Sequence, residues 1–97
     1  MNYRLLNSDD GFIVEEVNGK SCKYCTSAFI YKDENHYHLI DIESGLSITK
    51  GLTLDALEKS YKRNKRKYDA FKKTDAYHIK VERFSKMKLV MNYERNK

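Results

Sequence analysis

The chain lacks proline and tryptophan altogether, and its 97 residues include only two cysteines and four glycines. Two cysteines are too few for a disulfide scaffold, so the expectation is a cytoplasmic protein with free thiols. Long apolar runs are missing as well. Stretches such as Leu89-Val90-Met91 stop far short of a bilayer span. Met1-Asn2-Tyr3-Arg4-Leu5-Leu6 has no apolar core leading to a small-residue cleavage site, so no secretory leader is expected.

Motifs for catalysis are absent too. There is no Gly-rich phosphate loop, HExxH, GxSxG or EF-hand loop. The adjacent acids Asp9-Asp10, Glu15-Glu16 and Asp33-Glu34 would point to opposite faces of a strand and cannot form a carboxylate dyad. A chain this short also has little volume for a pocket of several hundred Å³ beside a core. The expectation is therefore a protein that is not an enzyme, with no cofactor.

What is present is charge and aromatic surface. Charged residues make up 34%, aromatics 12% and hydrophobic residues 40%, which suits one modest core in a single domain spanning 1–97. The net charge of +5 is divided unevenly: residues 1–50 carry 5 Lys/Arg against 8 Asp/Glu, a net −3, and residues 51–97 carry 14 against 6, a net +8. A chain split this way either faces an anion with one half or seats one half on the other. The abundance of Lys, Asn, Tyr and Ile is in the style of proteins from AT-rich bacteria or their phages.

The two halves also differ in pattern. Turn residues interrupt residues 1–50 at short intervals. Asp9-Asp10-Gly11 opens a strand at Phe12–Val17, and Asn18-Gly19 is the strongest short hairpin signal. A second strand is expected from about Lys20 to Lys32, a turn at Asp33-Glu34-Asn35, a third strand at Tyr37–Ile42, a turn at Ser44-Gly45 and a fourth at Leu46–Lys50. Beyond Gly51 there is neither Gly nor Pro. Thr53 and Thr74 are plausible helix caps, and Leu52 and Leu57 hold the positions of a hydrophobic staple. Leu54, Leu57, Tyr61, Tyr68 and Phe71 form one helical stripe, and Tyr77, Val81, Phe84 and Met91 form another. The fold expected is α+β: a four-stranded antiparallel meander, a helix at about 53–73 and a second helix at about 75–93, both packed on one sheet face. A strand at Tyr77–Val81 is the rival, disfavoured because Phe84 breaks its alternation.

The most conspicuous stretch is KSYKRNKRKY, residues 59–68. On a helical wheel its tyrosines, Tyr61 and Tyr68, fall with the apolar stripe, while Lys59, Lys62, Arg63 and Arg66 fall opposite and Lys65 and Lys67 flank it. Asp55–Lys59, Glu58–Lys62 and Asp69–Lys73 are acid-before-base at i, i+4, the order that supports a helix. Arg63, Lys65, Arg66 and Lys67 are left over. That cluster would bind phosphates weakly and with strong salt dependence, or meet an acidic protein.

Cys22-Lys23-Tyr24-Cys25 with His36 and His38 invites a zinc site. Strand geometry opposes it, because Cys25 would lie ~20 Å from His36 at the strand rise, whereas ligands must approach one ion within ~2.0–2.3 Å. Eight tyrosines are many for this length, and Tyr24, Tyr31 and Tyr37 are candidates for a docking surface on the sheet. The mixed polarity of YHLIDI, residues 37–42, also fits a strand used for pairing or a homodimer. The function expected is a small non-catalytic binding or inhibitor module, of the sort phages and mobile elements direct at host protein complexes. The alternative is a nucleic-acid-binding accessory protein using Lys59, Lys62, Arg63, Lys65, Arg66 and Lys67.

Overall fold

Six strands precede two helices: β1 (Asn2–Asn7), β2 (Ile13–Asn18), β3 (Lys20–Ser21), β4 (Ala28–Lys32), β5 (Tyr37–Asp41), β6 (Ser47–Gly51), α1 (Leu54–Phe71) and α2 (Asp75–Lys86). The computed structural model describes residues 2–7 and 13–87. All strand pairing is antiparallel. β1 pairs with β2, and a four-stranded meander runs β3-β4-β5-β6. The 18-residue α1 packs on β5 and β6, giving the expected α+β fold. No helix among the described residues is long and apolar enough to cross a membrane.

The meander is assembled differently from the sequence pattern. The segment expected as its first strand, here β2, pairs instead with the N-terminal β1. The single strand expected at 20–32 is divided into β3 and β4 by a loop at 22–27. Asn18-Gly19 explains the exchange, because it is not a reversal. Gly19 does not adopt the positive φ that a type I′ turn needs; among the described glycines only Gly45 does, at 70°. Gly19 is there for close approach: a Cβ would lie 2.8 Å from the Phe29 ring and 3.0 Å from both the Tyr3 ring and the Ile30 carbonyl oxygen. The chain thus passes through Gly19 from β2 to β3, which joins the small hairpin to the larger sheet.

Strand alternation sorts the sheet into two faces. Ala28, Ile30, Tyr37, Leu39 and Ile48 face α1 and pack with Cys22, Cys25, Leu57, Tyr61 and Tyr68. Phe29, Tyr31, His38 and Ile40 occupy the opposite face. There the β1–β2 hairpin supplies Tyr3, stacked on Phe29 with centroids 4.3 Å apart.

Local chemistry places both helices. Thr53 Oγ1 accepts from the Ala56 amide at 3.0 Å and starts α1. Leu57 is fully buried, but Leu52 is 71% and Leu54 52% exposed, so the apolar stripe meets the sheet only from Leu57 onward. Thr74 ends one helix and begins the next. Its hydroxyl donates to the Phe71 carbonyl at 2.6 Å and accepts from the Tyr77 amide at 3.2 Å. This explains how a turn forms without Gly or Pro. Tyr77 and Phe84 are buried on α2, so 75–86 is helix rather than strand; Met91 lies outside the described residues.

Candidate functional site

Asp41 sits at the junction of the sheet and both helices, 1% exposed. Four donors converge on its carboxyl. Tyr68 of α1 donates to Oδ1. Oδ2 accepts from the Tyr77 hydroxyl of α2 at 2.8 Å, the Ser44 hydroxyl at 2.7 Å and the Ser44 amide at 3.0 Å. Because Tyr68 gives its proton to Asp41, Ser27 Oγ, 3.0 Å from the same phenol oxygen, is the donor in that contact. Burial, and then the bond to Asp41, push both phenols well above the usual tyrosine range, so they stay protonated donors. A cavity of about 250 Å³ opens beside this cluster, walled by Ile48 and Phe71 with Asn64 and Lys67 among its lining. The sequence carried a signal for the cluster, an acid inside the apolar Leu39-Ile40-Asp41-Ile42. That mixed polarity suggests a pairing strand; in the fold it marks a buried polar centre.

The basic face of α1 is outward. Lys59 is held by Asp55 at 3.1 Å and Lys62 by Glu58 at 3.0 Å, both i, i+4. The third pair suggested by the spacing, Asp69–Lys73, is not formed. Arg63, Lys65, Arg66 and Lys67 are exposed and enter no ion pair among the described residues. Tyr61 and Tyr68, 4% and 8% exposed, belong to the core and are not available to stack on bases.

The structure separates the cysteines from the histidines. Cys22 and Cys25 are free, buried thiols under α1. Burial raises the Cys22 thiol above its ordinary range, the condition of an unreactive cysteine. His38 lies on the opposite sheet face, paired through Nε2 with Asp33 Oδ2 at 2.6 Å, and His36 is beside it with centroids 6.2 Å apart. Asp33 organises this turn by accepting the His36 amide at 2.7 Å and the Asn35 amide at 2.8 Å. Those two amides, with His38, hold its carboxyl well below the usual range. Among the described residues, no group of three or more His, Cys, Asp or Glu side chains is placed to share a metal ion.

The three candidate tyrosines do not form one patch. Tyr24 packs against Tyr61 at 5.4 Å under α1. Tyr31 is on the far face, 5.9 Å from the His38 ring. Tyr37 lines a groove of about 540 Å³ on the α1 side of the sheet. This groove exists because α1 starts over β6 and leaves the β3–β4 side uncovered. Ile30, Tyr37 and Leu54 supply apolar walls, and Lys20 and Lys32 stand at its margin. The Lys32 ammonium lies 5.2 Å from the Tyr37 ring centre. Sequence reasoning missed the groove because Leu54 fits the helical stripe and is read as core.

No protein-family model, curated protein or solved structure matches this chain.

Proposed function

We propose that this protein is a small non-catalytic binding module, of the inhibitor type that phages and mobile elements direct at host protein complexes in the cytoplasm. The observation that carries this reading is the uncovered apolar surface at the start of α1. Leu52 and Leu54 are 71% and 52% exposed, two positions apart in sequence, and Leu54 lines a groove together with Ile30 and Tyr37. Exposed apolar side chains beside a groove on a small domain suit a surface that another protein covers. Affinity purification from a nuclease-treated host lysate tests the reading. A specific partner should be recovered by the native chain and lost by the Leu52→Ser, Leu54→Ser double variant, whose changed side chains lie outside the core. Equal recovery by both proteins, or recovery of nothing, counts against it.

A second reading is favoured by a separate observation, the four cations of α1 that have no carboxylate partner among the described residues. Arg63, Lys65, Arg66 and Lys67, with Lys59 and Lys62 beside them, would hold a nucleic-acid backbone. Binding of this kind depends steeply on salt. A mobility-shift assay at low ionic strength should retain DNA or RNA, and Arg63→Glu with Arg66→Glu should abolish retention. If the native protein retains neither nucleic acid, the second reading fails.

A further inference from the structure

The groove beside Leu54 has a chemistry of its own, and we infer that its occupant is an acidic amphipathic peptide segment of the target protein. This rests on the protein-binding reading above and names the partner's chemistry. The first argument is charge. Residues 1–50 carry a net −3, yet the groove that β3 and β4 line contains Lys20 and Lys32 and, among the described residues, no carboxylate. Register explains how the lysines come together. Lys20 is paired opposite Ile30, and Lys32 is two residues further along β4, so all three side chains rise on the same sheet face.

The second argument is the floor. Ile30, Tyr37 and Leu54 present aliphatic and aromatic surface in the same lining as the two lysines. A ligand carrying both carboxylates and aliphatic or aromatic side chains satisfies both parts at once. The volume, about 540 Å³, suits a few side chains and not a whole domain face. Nucleic acid suits it less well, since Tyr37 is the only aromatic ring among the described residues of the lining and two lysines offer few phosphate contacts.

Fluorescence anisotropy with short labelled peptides decides the matter. The probes are a peptide of alternating Glu and Leu, its Lys and Leu counterpart, and a labelled single-stranded oligonucleotide. The Glu/Leu peptide should bind saturably and the Lys/Leu peptide should not. Lys20→Glu with Lys32→Glu should weaken Glu/Leu binding by about tenfold or more, because both changes reverse charge at the contact. Both lysines are exposed, so the variant should keep the native circular dichroism spectrum. The inference is overturned if the two peptides bind equally, if the Glu/Leu peptide does not bind, if the double variant binds it as the native protein does, or if the oligonucleotide competes it out of the groove. A photo-crosslinking residue at position 54, used in host lysate, tests the underlying reading separately. A crosslinked protein together with failed Glu/Leu binding would remove the acidic partner and leave protein binding standing. No crosslinked protein at that position removes both.

Discussion

Asp41 brings a carboxyl into the interior, and the molecule answers it with hydroxyl and amide donors. Each buried donor stranded without an acceptor costs ~1–3 kcal/mol, whereas one hydrogen bond of the set is worth about 1 kcal/mol net. Asp41→Ala strands the Tyr68, Tyr77 and Ser44 donors together and should cost about 3 kcal/mol or more. Tyr77→Phe removes one donor and should cost about 1–2 kcal/mol. Urea unfolding of the two variants checks the order. The same cluster sets an alkaline limit. Tyr68 and Tyr77 are held above their ordinary pKa of 10.0 in the folded chain, so the unfolded chain loses these protons first as pH rises. Their contribution to stability is complete below pH 10.0 and declines above it. The phenolate absorbance that a Tyr68→Phe, Tyr77→Phe variant lacks, which separates these two phenols from the other six tyrosines, should therefore appear together with loss of secondary structure. Its appearance while the structure persists would show that these phenols ionise in the native state. The acid inside an apolar run was legible in the sequence. Its partners were not, because Tyr77 is 36 positions away and nothing local announces that pairing.

At the scale of elements, the helices were the most legible. Thr53 and Thr74 cap where the pattern places caps, and Asp55 and Asp75 occupy first turns where a negative charge suits the helix dipole. The strands were legible by existence but not by partner. Asn18-Gly19 carries a strong local turn signal, and packing against Phe29 and Tyr3 takes that glycine for another purpose. The two caps should differ in weight. Thr53→Ala removes one amide acceptor and should cost about 1 kcal/mol. Thr74→Ala removes an acceptor for α2 and a donor to the end of α1, so its cost should be greater. Thermal unfolding followed by circular dichroism would compare them, and equal shifts would show that the bond to the Phe71 carbonyl contributes little.

At the scale of the whole molecule, the described parts of the two halves of opposite charge are not held together chiefly by ion pairs. The pairs Asp55–Lys59, Glu58–Lys62 and Glu82–Lys86 are all within helices, and Asp33–His38 is within one hairpin. Polar ties between the halves include those at Asp41 and Arg4, with Ser27–Tyr68 and Thr49–Ser60 beside them. The Arg4 guanidinium donates to the carbonyls of Phe84 and Met87 and lies 4.8 Å from the Phe84 ring centre, so the first strand closes the end of the last described helix. Arg4→Ala should leave the meander intact and loosen α2. Hydrogen exchange would report this as faster amide exchange in 75–86 and in β1, with β4 and β5 unchanged. A sequence reader has no access to this tie, since Arg4 and Phe84 are 80 positions apart.

The convergence on Asp41 has a consequence for synthesis. The strands leave the ribosome first, with Ser44 beside the carboxyl, and Tyr68 and then Tyr77 follow. Until residue 77 has emerged, the acid has no donor from α2, and the sheet awaits the part of the chain that secures its centre. The newborn protein should therefore resist proteases only once residue 77 has cleared the ribosome, in one step.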